Sequence, residues 1–304
     1  MYYLTSIPIY IASIMAILII FFGSDCIKKI YNSKIYELFD NSYKSALISS
    51  LHYNKYIDSI HKNMYKVKLP IIKNINIFKK SYKDSIIDLP EKYIKMLSKY
   101  TSEADMITKD YNIFKRYNWK FVMSINNLEL NMPFTIDNYI VLPRNKLEFL
   151  LSYFEKGNLQ KEFIDTLIHE KIHIIQRNNQ LKFNRFYKLK YANLLEDIYT
   201  SKLPENLDKI YMNNPDSNNT IWIYRFNNKR YIPLLVYENN TLTSKAYNLD
   251  FPKDNIKINI MKARLGFKNS ISFYHPNEIS ACIIADDLIH NRLDNAYKKF
   301  LKSL

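Results

Sequence analysis

Two histidines and a glutamate sit inside an apolar helical stretch, and no other feature restricts the possible folds as much. In "QKEFIDTLIHEKIHIIQRNN", from Gln160 to Asn179, the apolar residues Phe163, Ile164, Leu167, Ile168, Ile172 and Ile175 recur at spacings of three and four. That spacing predicts a helix buried along one broad face. His169 and His173 are four apart, so their rings lie side by side on such a helix, with Glu170 beside them on the next face. Burying three polar groups without a partner is costly. A cation serves all three, because neutral imidazoles ligate Zn²⁺ at about 2.0–2.1 Å and a carboxylate nearby can take a proton from activated water. The competing reading is a buried helix with two satisfied histidines and a surface Glu-Lys pair, in which Lys171 faces solvent.

Composition narrows the field around this helix. The chain has 304 residues, 47% of them hydrophobic, enough to bury a substantial core in one large domain or two small ones. Only 3 glycines are present, and neither GxGxxG nor GxxxxGK[ST] occurs, so nucleotide-binding folds drop away. The formal charge of +15 would suit nucleic acid or an anionic surface, but the lysines are dispersed and no nucleic-acid module is recognisable. No specific nucleic acid partner is expected. Two cysteines, Cys26 and Cys282, cannot build a disulfide framework or a Cys-rich zinc site. Any metal must therefore be held by histidines and carboxylates.

Residues 1–24, "MYYLTSIPIYIASIMAILIIFFGS", contain no charged side chain and are long enough to cross a bilayer. They predict an uncleaved single-pass transmembrane anchor. Asp25, Lys28 and Lys29 follow it, which places the bulk of the chain on the cytosolic side or inside a virion. With the opposite topology, Asn218 and Asn239 become glycosylation acceptors. The segment 26–118 reads as basic and helical, suited to lying against anionic lipid, and Pro90 marks a helix start. His52 and His61, in that segment, have no partners at ligand spacing.

From Trp119 the pattern changes. "WKFVMSI" and "NYIVLP" are short and rich in branched and aromatic residues, which predicts strands; Leu147 to Glu155 and then Gln160 to Asn178 return to helical spacing. Between about 200 and 270 the chain is strand-rich again, with "TIWIYRF" and "YIPLLVYE" flanking a turn at "NNKR". Pro276 opens a last helix. The fold class expected is α+β, with residues 119–304 as one domain that carries a β-rich insertion.

A catalytic zinc site takes three protein ligands and leaves a position for water, and no third histidine follows closely behind His173. Three residues remain candidates: Glu196 in "NLLEDIY", read as helical, His275, and Glu278 in "HPNEISA". Here the residues resemble a family. "HEKIH" with "NEISA" at Asn277 to Ala281 resembles the glutamate-zincin branch of the zincin metallopeptidases, in which HExxH is followed by a second helix carrying NExx(S/A). The resemblance covers roughly Trp119 to Arg292, with Asn193 to Ser270 as an atypical insertion. It implies Glu278 as the third zinc ligand and "FTIDNYIVLP" as an edge strand holding extended peptide. More loosely the motifs resemble uncharacterised zincin-like proteins of large DNA viruses. The branch often carries an aspartate four residues past the third ligand; Cys282 stands there, which leaves Asp286 or Asp287 to substitute.

What the resemblance implies is a membrane-anchored zinc metallopeptidase. His169, His173 and Glu278 hold Zn²⁺, Glu170 is the general base, and Tyr274 or His275 is a candidate oxyanion donor. The substrate is a protein or peptide. The alternative is a non-catalytic, membrane-attached structural protein of a virion or organelle that retains a zincin fold.

Overall fold

The computed structural model describes residues 43–66, 74–125, 128, 132–212, 214–218, 220–238, 241–251, 256–259, 262 and 274–304. Two short helices, α1 (Tyr43–Ser49) and α2 (Leu51–Lys66), precede α3 (Ile75–Asp84), β1 (Ile86–Ile87) and the long α4 (Glu91–Ile107). Asn74 caps α3, its side chain accepting from the Asn76 and Ile77 amides. After a helical turn, α5 (Asn112–Lys115), come β2 (Phe121–Ser124), β3 (Phe134–Ile136), β4 (Tyr139–Pro143) and α6 (Arg144–Phe154).

These strands form one sheet in the order β1-β2-β4-β3. β2 and β4 run parallel, with Phe121 opposite Ile140 and Ser124 opposite Pro143. Every residue of β2, β3 and β4 is buried, the mark of strands covered on both faces. On one face Val122, Phe134, Ile136, Tyr139 and Val141 pack with Leu47, Tyr53, Tyr56, Ile57 and Ile60 of α1 and α2. Alternation turns Thr135 to the other face, where it meets the histidine helix. Helices before Trp119 and the histidine helix thus belong to one compact unit, Ser42–Leu304.

The histidine helix is α7 (Lys161–Asn178), followed by α8 (Gln180–Lys190). Glu162 in its first turn and Arg177 in its last complement the helix dipole, and from Leu167 to Gln176 all but His169 are buried. Lys171 is among them, 1% exposed, with Nζ 3.9 Å from the centre of the Trp119 ring. Solvent exposure of Lys171 is therefore corrected: the indole covers it, and burial lowers its pKa to about 8.

A second, antiparallel sheet follows in sequence order: β5 (Leu195–Ile198), β6 (Trp222–Phe226), β7 (Lys229–Glu238), β8 (Thr241–Asn248) and β9 (Ile256–Lys257). Between β5 and β6 lie a helical turn, α9 (Glu205–Asp208), and a 3-10 turn at Pro215–Ser217. Asn227 and Asn228 join β6 to β7 with φ of 50° and 56°, both in the left-handed region that a two-residue hairpin turn requires and asparagine tolerates. Glu196, read as helical, lies on strand β5. The closing helices are α10 (Pro276–Ile289) and α11 (Asn295–Ser303).

For the described residues, the expectation of a membrane-spanning helix is corrected. No helix among the described residues is long and apolar enough to cross a membrane; the longest, α7, carries Lys161, Glu162, Asp165, Glu170, Lys171 and Arg177. Residues 1–24, on which the anchor was expected, lie outside the described residues, as do Cys26, the basic stretch before Tyr43, and Asn239.

Candidate metal centre

α10 lies against α7 and brings the third group to the two histidines. Pro276 occupies its first turn, where a missing amide costs nothing, and His275 caps it by accepting the Asn277 amide at Nδ1, 3.0 Å away. Glu278 then stands in the first turn, facing α7. His169 Nε2 and His173 Nε2 are 2.9 Å apart, and each is 3.6 Å from one oxygen of Glu278. Among the described residues this is the one group of three or more metal-ligating side chains within 4.8 Å of one another. One cation at about 2.0–2.2 Å from each donor spans such separations, so two imidazoles and a carboxylate fit Zn²⁺ in number and kind.

Neighbouring side chains set the orientation of these donors. The Gln176 amide nitrogen donates to the Asn277 carbonyl at 2.9 Å, to Ser280 Oγ at 2.9 Å and to Tyr187 Oη at 3.1 Å. A carbonyl can only accept, so Gln176 must turn Oε1 toward His173 Nδ1, 2.8 Å away. The proton of neutral His173 therefore sits on Nδ1 and leaves the Nε2 lone pair for a cation. Glu278 Oε1 accepts from Asn214 Nδ2 at 3.0 Å, and the same Nδ2 donates to the Tyr274 hydroxyl oxygen. Cys282, half-buried, takes the place four residues beyond Glu278. Asp286 and Asp287 do not substitute: both pair with Arg292.

Among themselves these side chains form a partly neutralised cluster. Burial works against a charged His169, yet hydrogen bonds to Cys282 and Glu278 and the charges of Glu278 and Glu170 hold it well above the usual histidine range. Burial also works against a charged Glu278, and His173 and His169 more than offset it, so its pKa is lowered. Glu170 behaves in the opposite way. Burial raises its pKa, with Asp216 and Glu278 adding to the effect against His169 and Arg177. It is 5% exposed, and its Oε2 has no hydrogen-bond partner among the described residues.

The other candidates lie apart from this group. Glu196 pairs with Arg225 at 3.2 Å on β5. His275 spends Nδ1 on the helix cap and Nε2 on Thr220 Oγ1, 2.9 Å away, and burial lowers its pKa to about 3, so it is a neutral structural group. Tyr274 Oη accepts from Asn214 Nδ2, which ties it to the turn that bonds Glu278. β3 is the sheet edge, but its three residues are buried and Thr135 Oγ1 is bonded to Asp216 at 2.7 Å and Arg177 at 2.8 Å. Gln176 was legible as the i+3 neighbour of His173; Asn214 and Asp216 carried no signal.

No family model matches the sequence and no solved structure matches the chain. The chain is 26% identical over 239 residues to Protein Ycf2 of Physcomitrium patens, an alignment covering 78% of this chain and 9% of that protein. So small a share of the relative, at that identity, assigns neither a family nor an activity, and it does not bear on the resemblance to zincins.

Proposed function

We propose that the chain is a zinc-dependent hydrolase of the zincin type acting on peptide bonds, with His169, His173 and Glu278 as metal ligands and Glu170 as general base. The observation that carries this reading is the convergence of those three donors beside a buried carboxylate whose Oε2 has no partner. Bound zinc would supply Lewis acidity and a water acidified toward about pKa 7. The residues do the rest. Gln176 keeps the His173 proton on Nδ1, Asn214 holds the Glu278 carboxylate, and Glu170 accepts the water's proton and returns it to the leaving amine.

A second reading has its own support. His173 is 2% exposed, Glu278 7%, and the residues of edge strand β3 are buried, with the Thr135 hydroxyl bonded to Asp216 and Arg177. These observations suit a non-catalytic protein in which the cation is structural. Elemental mass spectrometry on the full chain, beside His169→Ala and Glu278→Ala, tests the shared premise: about one zinc per chain, lost in both variants, is expected. A folded wild type without zinc sinks both readings. Hydrolysis of an unstructured protein such as casein, abolished in Glu170→Gln while zinc is retained, selects the enzyme; zinc without hydrolysis in either form selects the structural role.

A further inference from the structure

The turn that bonds Glu278 belongs to the strand-rich insertion between α8 and α10, not to either helix of the centre. Asn214 donates from Nδ2 to Glu278 Oε1 at 3.0 Å and to Tyr274 Oη, while its Oδ1 accepts the Asp216 amide at 2.9 Å, a side-chain-closed turn. Asp216 extends the connection in two directions. Its carbonyl accepts Asn277 Nδ2 at 2.6 Å, at the start of α10. Its carboxylate accepts Thr135 of β3 at 2.7 Å and Arg177 of α7 at 3.1 Å. The turn is thus fastened to the helix of the histidines, to strand β3 and to the helix of Glu278, and among its described residues Asn214 is the donor that reaches the proposed ligands.

We infer that Asn214 is a positioning residue for the metal centre, and that the insertion completes the centre by fixing which way the Glu278 carboxylate faces. This rests on the metal reading proposed above. A carboxylate has two oxygens and rotates freely about its last bond; the Asn214 donor restricts it to the orientation in which each oxygen faces one histidine. Groups that orient a metal ligand in this way typically contribute about 10- to 100-fold in affinity.

The test uses Co²⁺ titration of the full chain, followed by visible absorption and by competition with a chromophoric chelator. Asn214→Ser keeps an oxygen that can close the turn onto the Asp216 amide but cannot reach Glu278. Cobalt affinity is expected to fall about 10- to 100-fold, with an altered d–d spectrum and a cation-free melting temperature close to wild type. Asn228→Val strains the hairpin of the same insertion through its positive φ; it should lower the melting temperature while affinity stays within about twofold. Wild-type affinity and spectrum in Asn214→Ser would overturn the inference while leaving the metal centre standing. An equal loss of affinity in Asn228→Val would overturn it as well, by showing that any loosening of the insertion suffices. A folded wild type that takes up no cobalt would sink the metal centre itself.

Discussion

Gln176 concentrates more of the site's chemistry than any residue the motif names. Fully buried, it meets His173, Tyr187, Asn277 and Ser280 at once. Gln176→Leu should cost about 2–4 kcal/mol in chemical denaturation, because several buried polar groups lose a partner together. Zinc affinity should fall about 10- to 100-fold as the His173 tautomer is freed, and unchanged affinity in a folded variant would refute the tautomer argument. Lys171 makes the opposite case. Its burial lowers its pKa, and a cation–π contact returns only about 0.5–2 kcal/mol. Lys171→Met is expected to leave stability at neutral pH unchanged or raised; a drop of more than about 1 kcal/mol in a urea melt would count against that balance.

At the scale of elements, α7 and α10 carry the proposed ligands, and Arg177 links the last turn of α7 to the insertion. The Arg177–Asp216 pair is 3.1 Å apart, with side chains 18% and 11% exposed. Removing one partner of such a pair strands the other charge, at about 3–5 kcal/mol when burial is deep. Arg177→Met should therefore cost about 3 kcal/mol, measured by guanidinium denaturation; a loss below about 1 kcal/mol would show the pair to be solvent-screened. The helix of the histidines, the strands around Val122 and Val141 and the Asn-Asn hairpin were legible because each is governed by local periodicity or turn chemistry. Strand β5 was not: "LLEDI" has no clean alternation and gains its conformation by pairing with β6. Lys171 was misread because the ring that covers it comes from Trp119, a contact that helical spacing does not contain.

On the scale of the molecule, the proposed ligands come from two helices and their orienting groups from an insertion, so cation binding should report on the whole unit. A ligand that binds only the native state stabilises it by about 2.7 kcal/mol at one hundred times its Kd. Melting temperature is accordingly expected to rise with free zinc and to fall on treatment with EDTA, and Glu278→Ala should abolish the response. A melting temperature indifferent to chelator and to added zinc would mean that no native-specific cation site exists. That Glu278 and its helix return to the histidines could be suspected from "NEISA", whereas Asn214, 64 residues before Glu278 in sequence, could not, because nothing local marks a residue whose role depends on where a distant loop returns.

The spacing of the proposed ligands along the chain also has a consequence during synthesis. His173 and Glu278 are 105 positions apart, and translation proceeds at about 5–20 residues per second. The nascent chain therefore presents two histidines without their carboxylate for roughly 5–20 seconds, an interval in which it holds only a weak two-nitrogen grip on any metal it meets.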